Sequence, residues 1–362
     1  MFETIAEGFV SRRDSSPLPV AAGPRCAVTP AGEVLCTFMA QTRLGVNDFV
    51  PLLTRSRDAG ATWSEPAPMF PHLAPRFSLF GSIGPGLFFH GIRIPIDVPG
   101  ESFWSDATQG MKQNDLFWSR SVDSGATWSD PAGIPLDGAG SAEAPCPLTV
   151  TSAGRWISCY SPYNNFDATT KVDRERVVIA CCDDGGRSWW HRDAMRFPEA
   201  NSGGAEAWVV ELTDGRLLAT AWHVDHGSTH QYPNTYALSH DGGATWTATR
   251  STGILGQSTA LTPLADGRAL FVYNQRKHGQ PGVRIALVRP TESDFGVEHD
   301  QMAWAAPVAT QHATSAEHSE WTDFSFGEPS VVRLADGTLL LVFWCIQADG
   351  SGIRYVRLRV KS

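Results

Sequence analysis

One eight-residue pattern, Ser/Cys-x-Asp-x-Gly-x-Thr/Ser-Trp, occurs four times along this chain and limits its fold more than any other feature. The copies occupy residues 56–63, 121–128, 182–189 and 239–246. Successive copies lie roughly 60 residues apart, which is long enough for a four-stranded antiparallel sheet and too short for a separate domain. The spacing therefore predicts one sheet per repeat and a chain that folds by repetition.

The octet can be explained as a turn that needs no ligand. Its glycine tolerates a positive φ, and its tryptophan packs against the neighbouring strands. Its aspartate can accept hydrogen bonds from backbone N–H groups of the same turn. We therefore expect four aspartates to stabilise hairpins and to take no part in chemistry: Asp58, Asp123, Asp184 and Asp241.

A second repeat is an apolar alternation interrupted by a turn of a small or acidic residue and glycine. It occurs at residues 26–38, 146–160, 207–222, 259–273 and 329–344, and residues 77–92 fit the same role around Gly84-Pro85-Gly86. The 34 glycines and 24 prolines are typical of many short strands joined by tight turns. Six such hairpins predict an all-β fold, a six-bladed β-propeller of four-stranded antiparallel blades, with residues 1–362 as one domain.

The last repeat lacks its outermost strand. Residues 352–360 form an evident strand, but no further strand pattern follows them. Residues 3–11 are available at the other end of the chain, and pairing the two segments would remove exposed sheet edges. We therefore expect the ring to close with residues 3–11 beside residues 352–360.

Charge and composition exclude several classes of partner. The chain carries 29 basic and 38 acidic residues, a net charge of −9, without a run of lysines or arginines. This charge disfavours nucleic acid and anionic membranes as partners. An acidic N-terminal segment and the lack of a long apolar stretch predict a cytoplasmic protein, in which the seven cysteines are reduced.

The repeat also indicates which residues face the propeller axis, because inner strands converge there. Glu206 and Glu328 lie nine residues before the turn glycine of their hairpins, and Glu143 has a similar position in the third blade. Other candidates follow the inner hairpins: Arg43, Asp48, His90, Arg93, Tyr160, Tyr163, Trp222, His223, Tyr273, Arg276, Trp344 and Gln347. Aromatic faces stack on sugar rings and arginines pair with carboxylates, so this composition favours an acidic carbohydrate.

Structural roles remain open for each of these residues. The glutamates could bond backbone amides around the axis, and the tyrosines and tryptophans could be packing residues. The segment from His223 through His226 to His230 could suggest a metal site, but no helix aligns its ligands. We interpret it as a polar rim loop and predict neither metal nor cofactor.

The four octets within a six-fold repeat resemble the Asp boxes, or BNR repeats, of the sialidase (neuraminidase) superfamily over essentially the whole chain. The family binds a substrate carboxylate with three arginines and uses a Glu-activated tyrosine nucleophile and an acid/base aspartate. The resemblance implies that Asp48 is the acid/base residue and that Glu206 supports the nucleophile. The family has an Arg-Ile-Pro segment at its first inner strand, and Arg25 stands at that place in this sequence. An Arg93-Ile94-Pro95 segment does occur, but in the second blade instead of the first. His223 stands where the family has its second arginine. Glu328 stands where the family has its nucleophilic tyrosine.

Three functions compete on this reading. The first is an exo-acting glycoside hydrolase for a terminal acidic sugar, of the sialic or uronic acid type, on a small oligosaccharide or glycoconjugate. In it, Asp48 works opposite Glu206, Glu328 or Tyr273, and substrate contacts come from Arg25, Arg43, Arg93, Arg276, Tyr160 and Trp222. The second is a uronate lyase that uses His223, Tyr160 or Tyr273 with Arg276. The third is a non-catalytic carbohydrate-binding propeller.

Overall fold

A computed structural model describes residues 1–226, 230–311 and 323–361 of the chain. The described residues contain 27 β-strands and a short 3₁₀ turn at Pro85–Leu87. None of these residues belongs to a helix long and apolar enough to cross a lipid bilayer. The predicted all-β class is confirmed.

The strands form six antiparallel blades around one axis. The chain starts with β1 (Phe2–Arg12), which belongs to the last blade. Blade one contains β2 (Val20–Val28), β3 (Val34–Gln41), β4 (Val50–Ser56) and β5 (Ala67–Pro68). Blade two contains β6 (Phe77–Ile83), β7 (Phe88–Pro95), β10 (Asp115–Arg120) and β11 (Ala132–Ile134), with a small hairpin inserted before β10, β8 (Trp104–Ser105) and β9 (Gly110–Met111).

The remaining blades follow the same order from axis to rim. Blade three contains β12 (Ser141–Glu143), β13 (Thr149–Val150), β14 (Trp156–Tyr163), β15 (Arg176–Cys182) and β16 (Trp190–Arg196). Blade four contains β17 (Ser202–Glu211), β18 (Leu217–Asp225), β19 (Thr235–Ser239) and β20 (Arg250–Ser251). Blade five contains β21 (Thr259–Pro263), β22 (Ala269–Gln275), β23 (Gly282–Val288) and β24 (Val297–Ala305). Blade six contains β25 (Phe326–Arg333), β26 (Leu339–Gln347) and β27 (Gly350–Val360).

The ring closes by pairing the two ends of the chain. β1 is antiparallel to β27, with Phe2 opposite Val360 and Arg12 opposite Gly352. β1 thereby becomes the outer strand of blade six, which is the pairing expected from the sequence. This closure leaves β27 hydrogen-bonded on both sides.

Blade three departs from the regular pattern at its inner strand. β12 and β13 both pair with β14 but are separated by residues 144–148. That interval contains Pro145 and Pro147, which have no N–H to donate to a sheet ladder. The inner strand is therefore interrupted where Cys146 lies.

The octets form the outer turns that the sequence predicts. In the first octet the Thr62 backbone N–H donates to Asp58 Oδ1 at 2.8 Å, and the Thr62 hydroxyl donates to Oδ2 at 2.5 Å. Gly60 has a φ of 87°, and its N–H donates to Ser56 Oγ at 2.8 Å. Trp63 Nε1 donates to the Gly60 carbonyl at 3.1 Å. The corresponding backbone N–H bonds to aspartate recur in the other three copies, so the structural role of these aspartates is supported by local geometry.

Candidate functional site

A cavity of about 240 Å³ lies where the inner strands converge, and all six blades contribute to its wall. Eight residues highlighted by the sequence line it: Glu143, Tyr163, Glu206, Trp222, His223, Arg276, Glu328 and Trp344. Ser258 lines it as well. The propeller therefore brings together acidic, basic, imidazole and indole groups from distant parts of the chain.

Three inner strands carry a bulge at the cavity floor. The register of β2, β17 and β25 shifts at Gly23, Glu206 and Glu328, respectively. These residues have φ values of 56°, 48° and 46°. A positive φ is unusual for glutamate and is found where surrounding contacts hold the backbone in place. The bulges direct the two glutamate side chains to the cavity.

Each bulge amide is bound by a side chain from the preceding blade. Gly23 N–H donates to Glu328 Oε2 at 2.7 Å, and Glu206 N–H donates to Glu143 Oε2 at 2.7 Å. With the Asn274 amide oriented to satisfy its neighbours, its oxygen accepts from Glu328 N–H at 3.2 Å. The structural role considered for axial glutamates is thus present for Glu143 and Glu328.

Glu206 differs from the other two glutamates. Its carboxyl group interacts with the Ser258 hydroxyl. Its buried Oε2 atom has no hydrogen-bond partner among the described residues. This unpartnered oxygen belongs to a residue that lines the cavity floor.

Burial in one small volume raises the pKa of all three glutamates. Loss of solvation, followed by the charge of Glu206, raises the pKa of Glu143 to about 8. Loss of solvation, followed by the charge of Glu328, raises the pKa of Glu206 to about 7. The pKa of Glu328 is also raised by burial, but Arg25 and the Gly23 N–H oppose that shift. The floor therefore holds protons at neutral pH.

Two arginines lie beside the glutamates, and the protein backbone holds both. Arg276 donates from Nε and Nη2 to the Phe326 carbonyl at 2.9 and 2.8 Å, and its guanidinium lies 3.8 Å from the Phe324 ring centre. Burial lowers the pKa of Arg276 to about 10. Arg25 donates from Nη1 to the Glu328 carbonyl at 2.9 Å and lies 4.8 Å from the Trp208 ring centre. Arg25 supports the floor from outside the cavity lining, whereas Arg276 lines it.

The histidine segment forms part of one wall. His223 stacks on Tyr232 with 4.1 Å between ring centres, and its Nε2 lies 3.1 Å from Ser202 Oγ. Burial lowers the pKa of His223, so the imidazole is neutral at pH 7. Within residues 1–226, 230–311 and 323–361, no group of three or more His, Cys, Asp or Glu side chains is arranged to hold a metal ion.

Asp48 and Tyr273 do not line the cavity, which corrects their expected placement. Asp48 accepts hydrogen bonds from the Thr42 hydroxyl at 2.6 Å and the Thr42 N–H at 3.3 Å, so it closes its own loop. Tyr273 stacks on Phe271 within blade five and donates its hydroxyl to Asp300 at 2.6 Å. Side chains alternate between the faces of a strand, and Tyr273 shares a face of β22 with Phe271, where both rings are buried.

Three further candidates also lie away from the cavity. Tyr160 is buried, and its hydroxyl accepts from the Asp137 N–H at 2.8 Å. Arg93 pairs with Asp115 at 3.2 Å. Arg43 is exposed on the loop after β3 and is not part of the cavity wall. Local partners explain the positions of Tyr160 and Arg93, and such partners cannot be read from the hairpin repeat.

Sequence reasoning missed one wall of the cavity. This wall consists of four aromatic residues, Phe49, Phe80, Phe103 and Trp104. Phe103 and Trp104 belong to the hairpin inserted between β7 and β10. The long interval between the second and third strands of blade two could have indicated that an extra hairpin is inserted there. Because the insertion has no counterpart in the repeat, its side chains could not be placed by counting.

Comparisons with known proteins agree with this architecture. The family of BNR repeat-like domains matches residues 102–339. A Dyadobacter fermentans protein of unknown function has a similar structure with 18% identity and a TM-score of 0.74, and the match covers 99% of each chain. A Hadza microbial sialidase has 15% identity and a TM-score of 0.68, with 97% of this chain and 68% of the sialidase covered. An α-L-arabinanase from Penicillium chrysogenum has 15% identity and a TM-score of 0.60, with 98% of each chain covered.

A comparison with curated proteins found no match. At these identities the solved structures show a shared fold, and their reactions remain their own. The matched segment covers well over half of the chain, including the second, third and fourth octets. The chain belongs to the BNR repeat-like domain family and has the six-bladed propeller fold of the sialidases.

Proposed function

We propose that the protein is a glycoside hydrolase that removes a terminal acidic sugar from a small oligosaccharide or glycoconjugate, with Glu206 as the proton donor. The proposal rests on the protonation and hydrogen bonding of the Glu206 carboxyl group. Its carboxyl group has a pKa raised to about 7 and one oxygen without a protein partner at the cavity floor. A group with these properties suits general acid catalysis near neutral pH.

Glu328 supplies the second carboxyl group of the proposed reaction. The Gly23 N–H and the Arg25 charge both favour its ionised form. Hydrolysis would break the bond between the anomeric carbon and the glycosidic oxygen. The Glu206 proton passes to that oxygen, the hydroxyl of a water molecule adds to the anomeric carbon, and Glu328 as general base accepts the proton that the water loses.

The size and charge of the cavity favour a substrate with one sugar ring and one carboxylate. Its volume of about 240 Å³ lies below the ~300–1,000 Å³ of drug-sized ligand sites, which favours one sugar ring over a long oligosaccharide. Arg276 and Lys277 line it and would attract a substrate carboxylate. Arg276 is the one arginine among the described lining residues, so we favour a uronic acid over a sugar that needs three arginines.

A uronate lyase is the second candidate. His223, neutral because burial lowers its pKa, could remove a proton from a substrate held by Arg276. The tyrosines considered for this reaction, Tyr160 and Tyr273, are absent from the cavity lining. Hydrolysis is favoured because both of its carboxyl groups are present at the floor.

A panel of chromogenic glycosides tests the proposal. It should include neutral sugars, uronic acids and sialic acid, and the variant Glu206→Gln should be compared with Glu211→Gln. Glu211 lies on the same strand but bonds Ser152 at the surface, so it is a matched control. We expect hydrolysis of a uronide and a loss of about 10²–10⁴-fold in kcat for Glu206→Gln only.

Other outcomes of this panel would contradict the proposal. Products that absorb in the ultraviolet as unsaturated sugars would identify the lyase. Binding without turnover across the panel would identify a carbohydrate-binding propeller. Full activity in Glu206→Gln would assign the proton donor elsewhere.

A further inference from the structure

The two sides of the cavity have different chemistry. Residues 41–111 contribute eight apolar side chains and one polar one: Gln41, Leu44, Phe49, Phe80, Ile92, Ile94, Phe103, Trp104 and Met111. Every ionisable side chain of the described lining comes from residues 143–328. Blades one and two with their inserted hairpin thus form an apolar wall opposite a polar one.

The apolar wall begins at the carboxylate floor. A Cβ atom built on Gly23 would lie 3.1 Å from the Phe80 ring and 3.7 Å from Glu328 Oε1. Phe80 and the Glu328 carboxylate are therefore close neighbours, and the apolar wall meets the carboxylate floor at this corner.

Aromatic rings continue the wall from the corner toward the rim. The ring centres of Phe80 and Phe49 are 5.5 Å apart, and those of Phe49 and Phe103 are 5.2 Å apart. Trp104 packs edge-on against Tyr163 at 6.1 Å. Phe80, Phe103 and Trp104 are only partly buried, so their surfaces are accessible to a ligand. We name the set of Phe49, Phe80, Phe103 and Trp104 the aromatic wall.

The hairpin that supplies Phe103 and Trp104 is anchored on both sides. Glu101 accepts from Asn47 Nδ2 of blade one at 3.0 Å and pairs with Lys112 at 2.5 Å. Asn164 of blade three donates from Nδ2 to the Thr108 carbonyl at 2.7 Å. A surface held in place before binding loses little entropy when a ligand arrives.

We propose that the aromatic wall binds an apolar leaving group, an aryl or long alkyl aglycone, attached to the sugar on the floor. The proposal rests on the proposed hydrolase function for the position of the sugar. Sugar hydroxyls buried against carbon would lose their hydrogen bonds, whereas an apolar group gains by leaving water. Because the wall runs from the floor to accessible rings, it suits a group that departs toward solvent after cleavage.

Calorimetric binding of paired probes to the intact chain tests this specificity independently of turnover. The probes are methyl and octyl β-glucuronide and methyl and octyl β-glucoside, kept below micelle-forming concentrations. We expect each octyl member to bind at least ~30-fold more tightly than its methyl partner, because several methylene groups leave water. The same ratio should persist in Glu206→Gln, where hydrolysis is lost.

Variants identify the surface responsible for the octyl preference. Phe103→Ala and Trp104→Ala should each reduce the ratio by about fivefold or more, since a ring contributes about 1 kcal/mol or more of contact. Phe166→Ala and Val98→Ala are controls, because these apolar residues are 44% and 61% exposed outside the cavity lining. They should leave the ratio unchanged.

Three results would overturn the proposal. Equal affinity for methyl and octyl probes, or an octyl preference unaffected by Phe103→Ala and Trp104→Ala, would show that the wall binds no aglycone. A gain with methyl 6-O-octanoyl glucoside in place of octyl glucoside would assign the wall to a substituent of the sugar. Failure of the hydrolase proposal alone would leave the octyl preference intact, so the two failures are distinguishable.

Discussion

Carboxylates occupy two regions of this propeller under opposite conditions. At the outer turns, donors surround the aspartates: hydrogen bonds from the Thr62 hydroxyl and N–H lower the pKa of Asp58 to about 2. At the axis, burial raises the pKa of Glu143 to about 8 and that of Glu206 to about 7. The same chemical group is a permanent anion in one region and a proton carrier in the other.

The difference follows from the number of hydrogen-bond donors per carboxylate and from exposure to water. Asp58 accepts from three nearby groups within its own turn. Glu206 Oε2 has no partner among the described residues. A carboxylate with a full set of donors contributes to stability, whereas one left short of donors in a cavity is suited to proton transfer.

The largest expected effect separates the regions by activity. Glu206→Gln should lower kcat by about 10²–10⁴-fold, because it removes the proposed proton donor. Asp123→Asn alters an outer carboxylate in the same way and should leave kcat within about twofold of wild type. Steady-state kinetics on the best uronide would measure kcat for both variants. Comparable losses of kcat would contradict the assignment of catalysis to the axial carboxyl groups and of structure to the outer ones.

A second effect concerns how stability depends on pH. The folded chain keeps the Glu143 proton to about pH 8, whereas an unfolded chain loses it near pH ~4.3. Folding is thus favoured by this group at low pH, and its contribution is lost as pH rises through about 8. Wild-type Tm should fall between pH ~5 and ~8, and Glu143→Gln should raise Tm at pH 8 by about 3 °C or more.

Thermal unfolding at several pH values would measure that slope. Glu211→Gln serves as the control, since Glu211 bonds Ser152 at the surface. An unchanged slope in Glu143→Gln would mean that Glu143 itself ionises as an exposed carboxyl group does.

The outer turns should show the reverse dependence with a smaller amplitude. Hydrogen bonds, first from the Thr127 hydroxyl, lower the pKa of Asp123 to about 2, so its contribution is present above pH ~3.9 and lost as pH falls through about 2. Because the group is exposed, Asp123→Ala should lower Tm at pH 7 by no more than about 4 °C. The difference from wild type should vanish at about pH 2, and a deficit that persists there would point to packing instead of charge.

The smallest expected effect is on Tm and concerns the one outer turn in which cysteine replaces serine. Cys182 replaces serine in the third octet, and its Sγ accepts from Gly186 N–H at 2.9 Å and donates to Asp184 at 3.1 Å. Serine makes the equivalent bonds at 2.8 Å in the first octet. Cys182→Ser should therefore change Tm by less than ~2 °C, as scanning calorimetry would show. A larger decrease would assign the thiol a packing role that serine cannot fill.

The same contrast explains what could be predicted from sequence. The octet bonds join residues two to four positions apart, so their pattern is visible in the chain. Counting from the hairpin turns also located Glu206 and Glu328 at the floor. The bond from Glu206 N–H to Glu143 spans 63 residues and depends on a bulge, so no local pattern shows it.

The errors have identifiable physical causes. Asp48 follows an inner hairpin as expected but bonds Thr42 within its own loop. Tyr273 is buried beside Phe271 and donates its hydroxyl to Asp300 on β24. Phe103 and Trp104 come from an insertion that the repeat does not contain. Repetition predicts which strands meet, whereas side-chain direction depends on contacts specific to each blade.

Titration of the Glu206 carboxyl group is the most direct test of this account. Nuclear magnetic resonance of the protein labelled with ¹³C-glutamate would follow it, with the signal assigned by its loss in Glu206→Gln. We expect a midpoint near pH 7, because burial and the Glu328 charge raise the pKa of Glu206 to about 7. A midpoint near ~4.3, the value of an exposed glutamate, would contradict the claim that the axis holds a proton donor.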